Sequence, residues 1–195
     1  KIRTSAWDCI CHSSAERLRF FFLSNLNSQL CDELEAQFEK FRSTGLALDH
    51  VNGHLNIHLH PVVFGILMEN AERWGIRHLR LTTDPFALNL QFAKGNLLYR
   101  ASHAFIYKSL SNWARLKLRL KKIRHTQNVF GLLQNSRVDE EFLLKLLPKL
   151  PNGDSELYSH PSLDNIKHEF DALISPNVKA SVEQSGIQLI RYQDL

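Results

Sequence analysis

Four of the ten histidines in this 195-residue chain, His50, His54, His58 and His60, fall within residues 48–61, beside Asp49, Asn52 and Asn56. Imidazole ligates metal ions and also carries protons near neutral pH, so such crowding points to metal-assisted or acid–base chemistry. His54 and His58 are four apart, which on a helix would put two zinc ligands on one face. Asn52-Gly53 and Pro61 bracket the segment, however, and no glutamate intervenes, which favours a loop. A solvated loop or packed polar network is the competing reading of the cluster. Arg80 and His160 are further candidates, each placed just before a turn. Taken singly, Arg80 reads as an ion-pair residue, His160 as structural and Asp49 or Asp84 as a turn cap. No Gly-x-Ser-x-Gly elbow occurs, and neither Cys9 nor Cys11 has an evident base, so a serine or cysteine nucleophile is not indicated.

The elements that must hold these residues alternate between strand and helix. Leu30, Leu34, Phe38 and Phe41 recur at helical spacing after an N-cap at Asn27 or Ser28, and Gly45 closes the pattern. Residues 46–51 read as a buried strand delivering the histidine cluster. Pro61 opens a helical stripe of Val63, Phe64, Leu67, Met68, Ala71 and Trp74 that Gly75 ends. A strand over 76–81 then leads to Arg80 and Thr82-Thr83-Asp84-Pro85. Residues 86–98 look irregular, 101–123 form a long helix, and 128–133 are a strand or a ligand loop. Helices follow at 138–147, 164–173 and 176–184, with strands at 155–159 and 187–192. Alternation of this kind predicts a parallel sheet, doubly wound or closed as a barrel, with its site at the carboxyl ends of the strands. His54, Arg80 and His160 all fall at such ends. Residues 1–24, with Trp7, Cys9, Cys11 and Phe20–Phe21–Phe22, show no clean periodicity.

The length and a hydrophobic content of 44% suit a single domain of a globular protein. Three cysteines, Cys9, Cys11 and Cys31, lack zinc spacing and fit a reducing compartment, so a cytoplasmic location is expected. No apolar run is long enough to span a bilayer. Of the net +4 charge, Lys108, Arg115, Lys117, Arg119, Lys121, Lys122 and Arg124 supply seven positive charges with no acid among them; the rest, 17 basic against 20 acidic residues, is net −3. The basicity belongs to one helix, so a nucleic-acid partner is not expected. Leu110, Trp113, Leu116 or Lys117, Leu120 and Ile123 trace the expected buried face of that helix. Snorkelling cations on a solvated face are the plain reading, and peripheral contact of residues 108–124 with an anionic membrane is the alternative.

Three segments together resemble the YdjC-like carbohydrate deacetylases, which include the chitooligosaccharide deacetylases, and look most similar to the branch associated with hopanoid biosynthesis. They are Leu48-Asp49-His50-Val51-Asn52-Gly53-His54-Leu55-Asn56-Ile57-His58-Leu59-His60-Pro61, then Gly75-Ile76 leading to Arg80 and Asp84-Pro85, then Glu156-Leu157-Tyr158-Ser159-His160-Pro161. The resemblance covers residues 26–195. It implies an α/β fold, a distorted and incomplete TIM-like (β/α) barrel of parallel strands alternating with helices. The implied reaction is metal-dependent removal of an N-acetyl group from an N-acetylglucosamine-type sugar, with a hopanoid-linked sugar as one candidate substrate.

On that resemblance His54 is a ligand of a divalent metal, Mg or Zn, His160 is the proton donor, and Arg80 shapes the substrate site. His50, Asn52 and His58 then support the ligands from behind. The family's amino-terminal aspartate pair and its Gly-Leu-His-like segment have no counterpart here, and Asn56 replaces a histidine common in the chitooligosaccharide branch. The expectation is a carboxyl-terminal portion of the barrel with one side of a metal site, inactive alone. A non-catalytic sugar-binding or membrane-associated remnant of the fold is the alternative.

Overall fold

The computed structural model describes residues 24–92, 96–134 and 136–195. The aromatic and cysteine-bearing region of Trp7, Cys9, Cys11 and Phe20–Phe21–Phe22 lies outside them. The chain divides into two compact units: one runs up to Leu48 and resumes over Gly53–Ile76, while the other combines Asp49–Asn52 with Arg77–Leu195.

The first unit is helical. Helix α1, Ser24–Arg42, buries Leu30, Leu34 and Phe38, the stripe expected from their spacing. Helix α2, Pro61–Glu69, starts with proline at its first turn, where the missing N–H costs nothing, and His60 caps it through Nδ1, which accepts from Val62 N–H at 3.3 Å. Its Val63, Phe64, Ile66, Leu67 and Met68 are buried, each such side chain contributing about 1.5–3 kcal/mol. The single helix expected to run on to Trp74 is broken at Asn70, after which α3, Ala71–Trp74, stacks Trp74 on Phe38 with ring centroids 4.5 Å apart. The Trp74 indole N–H donates to Glu35 Oε2 at 2.7 Å, and that bond, with Arg42 and Arg73 nearby, holds the carboxyl below its usual range. Residues 46–50 are not a strand: Leu46 is exposed and only Val51 pairs.

The second unit is an α/β assembly around short parallel segments laid side by side in chain order. Val51 bridges Leu79, and His78 bridges Arg124, both parallel. Val129 N–H donates to Thr83 O at 3.0 Å, and strand β1, Asn128–Phe130, pairs in parallel with β2, Ser155–Leu157. The expected strands at 76–81 and 155–159 are therefore present in shortened form. The one expected at 187–192 is absent: Leu189 and Ile190 are exposed, and the chain closes with a short helical turn, Tyr192–Asp194.

Residues 86–98, expected to be irregular, hold α4, Phe86–Phe92, and the start of α5, Leu97–Leu120, which Asn96 caps through its side-chain oxygen. Helix α6, Glu140–Leu146, is capped by Asp139; α7, Lys167–Ile174, and α8, Pro176–Gln184, follow. Phe130, Val138, Phe142, Leu143, Leu146, Leu147, Ala172 and Val178 form their common core. No helix of the described residues is long and apolar enough to cross a membrane.

The buried face of α5 differs from the expected one. Arg100, Ser111, Ala114 and Leu118 face inward, whereas Trp113, Leu116 and Leu120 are exposed. The inward face is built largely from small or polar groups, with Ser111 Oγ donating to Thr82 O at 3.3 Å, so apolar periodicity could not single it out.

Candidate functional site

Within the second unit, the carboxyl ends of the parallel segments gather one polar and aromatic cluster. Arg80 lies just past the bridge at Leu79, and Glu156 is on β2. Arg80 Nε donates to both carboxylate oxygens of Glu156, at 2.9 and 3.0 Å, and Nη2 also bonds Oε1. Both side chains are 12% exposed, so this is a largely desolvated, forked pair. Burial alone would lower the Arg80 pKa, but the bonds to Glu156 outweigh it and the net shift is upward. The guanidinium rests 4.8 Å above the Tyr158 ring. With its amide oxygen turned toward the guanidinium, Asn52 accepts from Arg80 Nη1 and Nη2 at 3.2 and 3.1 Å.

Tyr192 closes the other side. Its hydroxyl donates to Glu156 Oε2, and burial followed by the Glu156 charge pushes its pKa upward, which keeps the phenol protonated. Its ring stacks on His50 at a centroid distance of 4.2 Å. His50 Nδ1 in turn lies 3.0 Å from Asp49 Oδ2, while Asp49 Oδ1 accepts from Gln193 N–H at 3.3 Å. The tail that was expected to form a strand thus completes this cluster instead.

His160 follows two residues after Tyr158, and the two rings meet edge to face at 5.8 Å. Its imidazole is exposed while its backbone N–H donates to Glu169, a carboxylate with no solvent exposure that also accepts from Val138 N–H at 3.2 Å. The peptide is anchored and the ring is left in solvent, a disposition that suits proton exchange. Gly131 makes this geometry possible. At φ 119, a Cβ there would lie 2.2 Å from the Tyr158 carbonyl oxygen.

A buried amide network lies in the same unit. Asn89 donates to Asp84, Gln134 donates to Asn89 Oδ1 at 2.6 Å, and Leu133 N–H donates to Asp84 Oδ2 at 3.1 Å. Burial pushes the Asp84 pKa up to about 7 against the pull of these donors. A separate cavity of about 310 Å³, between Phe92, Phe142, Arg137 and His168, includes none of the cluster residues.

His54, His58 and His60 belong to the first unit. His54 is exposed and opens the turn His54–Leu59, in which Leu55 and Asn56 take the left-handed conformation at φ 50 and 57. This is backbone of the kind that natural chains concentrate at functional segments. His58 is 2% exposed and its Nδ1 accepts from Gly53 N–H at 2.9 Å, while the His60 Nδ1 is engaged in capping α2. Among the described residues, no group of three or more His, Cys, Asp or Glu side chains is placed to hold a metal ion. The donor set does not fit a tightly held ion.

Of the residues singled out by sequence, Arg80, Asn52 and His50 share one cluster, and His160 joins it through Tyr158. Glu156, Tyr158 and Tyr192 were missed as participants. Glu156 and Tyr158 had a visible cue, because they lie in the same strand-end motif as His160. Tyr192 had none, since its partner is 36 residues away.

A helix-rich α/β unit whose parallel segments deliver polar groups at their carboxyl ends defines the class. The family described as YdjC-like protein matches residues 7–184, and the chain belongs to that family. A mouse protein named carbohydrate deacetylase is 24% identical, covering 86% of this chain and 62% of its own length. The crystal structure of a protein from Enterococcus faecalis V583, named for an inferred cellobiose-phosphate cleavage role, superposes with a TM-score of 0.60 at 19% identity, covering 86% of this chain and 60% of that one. The latter likeness bears on the fold alone. The chain thus spans about three-fifths of the length of these relatives.

Proposed function

We propose that this chain contributes to a carbohydrate N-deacetylase that hydrolyses the acetamide of an N-acetylglucosamine-type unit, within a distorted (β/α) barrel. The supporting observation is the cluster in which Glu156 is gripped by Arg80 and Tyr192 at the strand ends, with the exposed imidazole of His160 alongside. Family membership and the name of the mouse relative support a carbohydrate substrate.

In this reading the Arg80–Glu156–Tyr192 lock fixes the floor of the site. Arg80 positions Glu156 and the Tyr158 ring, and the partly exposed rings of Tyr158 and His50 give a sugar ring planar surfaces to lie against. His160 supplies the proton that the departing amine must gain as the amide C–N bond breaks. Metal dependence is a separate part of the proposal, with His54 as the residue of this chain that would ligate the ion, although the described donors do not hold one by themselves.

The test is acetate release from an N-acetylglucosamine oligomer by the protein at its natural length, with and without chelator. Chelator should abolish release, and His160→Ala should lower kcat by roughly 10²–10⁴-fold, the usual contribution of a positioned acid. A second reading, sugar binding without hydrolysis, is favoured by the self-satisfied character of the cluster. It predicts saccharide binding indifferent to chelator and no acetate, and that outcome would displace the deacetylase reading.

A further inference from the structure

Helix α5 packs a face of mostly small and polar groups and leaves an apolar face exposed. Advancing about 100° per residue, the buried positions Arg100, Ser111, Ala114 and Leu118 share one side. Leu98, Phe105, Leu116 and Leu120 lie on the opposite side, within about 60° of one another. They are 81, 75, 64 and 75% exposed. Ile106 and Trp113 extend the same stripe and are also exposed. Lys108 and Arg119 border it on one flank, and on the other Lys117 sits 4.6 Å above the Trp113 ring. Lys121, Lys122 and Arg124 continue the positive edge past the end of the helix, all exposed. No acidic residue occurs between Asp84 and Asp139.

We infer that this face of α5 docks the protein on an anionic lipid surface, with the helix lying in the interfacial plane. Large exposed apolar patches rimmed by polar groups mark interaction sites, and the charge pattern selects the partner. A second copy of the chain would set cation rows against cation rows with no acid on the helix to offset them. A nucleic acid would meet a crest of leucine and phenylalanine between its phosphates and the cations. An anionic bilayer satisfies both features at once, hydrocarbon for the stripe and headgroup charge for its two borders. The inference is independent of the sugar chemistry, because α5 contributes no residue to the cluster at the strand ends.

Flotation with vesicles of phosphatidylcholine alone or with added phosphatidylglycerol tests it on the whole chain. Binding should require the anionic lipid and weaken with salt. Each cation near the surface accounts for about a fivefold change in affinity, so Lys108→Glu with Arg119→Glu should lower it by at least about a hundredfold at low salt. Leu116→Ser with Leu120→Ser should abolish binding while leaving the charge unchanged. These positions are exposed, and circular dichroism checks that the variants remain folded. An independent readout on the unaltered chain is quenching of Trp113 emission by brominated lipid, which Trp113→Phe should remove. Equal binding to neutral vesicles, retention of binding by the leucine variant, or persistence of quenching without Trp113 would overturn the inference. So would self-association or oligonucleotide binding through this face in place of vesicle binding.

Discussion

Arg80 grips Glu156 through three nitrogen–oxygen contacts across 76 residues of sequence, with both side chains 12% exposed. This pair joins the end of one parallel segment to β2 and holds the Tyr158 ring against the guanidinium and the Tyr192 hydroxyl against the carboxylate. Removing either partner leaves a desolvated charge behind, so Arg80→Met or Glu156→Leu should each cost roughly 3–5 kcal/mol. The double variant should cost clearly less than the sum, because no orphan charge remains. Urea denaturation of the three variants completes the cycle; additive losses would mean that the pair is not coupled.

The Tyr192 hydroxyl makes the third bond to this carboxylate system, and burial with the Glu156 charge keeps it protonated well into the alkaline range. Tyr192→Phe keeps the ring stacked on His50 and removes only the donor. A loss of about 1–3 kcal/mol is expected, the usual cost of a bond to a charged group, with the far-UV spectrum unchanged. A variant as stable as the parent would show that Glu156 is fully held by Arg80.

Gly131 offers a sharper steric test. Its φ of 119 disfavours any other residue, and a Cβ would fall 2.2 Å from the Tyr158 carbonyl oxygen, which is backbone and cannot rotate away. Gly45, also at positive φ, has open space around its would-be Cβ. Gly131→Ala should therefore destabilise by more than about 2 kcal/mol, whereas Gly45→Ala should cost about 1 kcal/mol or less. Thermal denaturation of the two variants compares them directly, and equal losses would contradict the close approach at Gly131.

What could be read from sequence tracks what is local. The Leu30–Leu34–Phe38 stripe, the Pro61 start, the Gly75 stop and the bounds of α8 came from spacing and turn chemistry that act within a few residues. Arg80 and His160 were placed correctly near segment ends because Thr82-Thr83-Asp84-Pro85 and Pro161 punctuate the chain there. The Arg80–Glu156–Tyr192 lock was hidden, since nothing local to Tyr192 marks its partner. Apolar residues at 187–192 suggested a strand, but Leu189 and Ile190 are exposed and Tyr192 is buried in a turn. On α5 the louder apolar stripe faces outward, and the packed side is formed around Ser111 and Ala114, whose small side chains carry little pattern.

Asp84 should give the protein a pH dependence of defined sign. An aspartate in the unfolded chain titrates near 3.9, whereas burial holds Asp84 at about 7. Between these values the folded chain keeps a proton that the unfolded chain has lost. Its contribution is therefore fully present below the lower value and disappears as pH rises through the upper one, an effect on the order of 2–4 kcal/mol. His60, lowered by burial, works in the opposite direction as pH falls below about 6.5, so the parent's net profile mixes the two. Asp84→Asn retains His60 and removes only the carboxyl. The stability difference between parent and variant, measured by urea denaturation at pH 5 and pH 8, should shift in favour of the variant at the higher pH. A constant difference would mean that Asp84 is ionised throughout.

Metal affinity tests the isolated role proposed for His54. Its imidazole is exposed, but the Nδ1 atoms of His58 and His60 already accept backbone N–H groups, and the described residues offer no group of three ligating side chains. One imidazole without companions gains little from preorganisation, and tight binding of a divalent ion requires several deprotonated ligands fixed together. Zinc or magnesium titrated into this chain in a calorimeter should therefore bind more weakly than micromolar, with His54→Ala making little further difference. Micromolar affinity that His54→Ala abolishes would show instead that His54 already has its partners within these 195 residues.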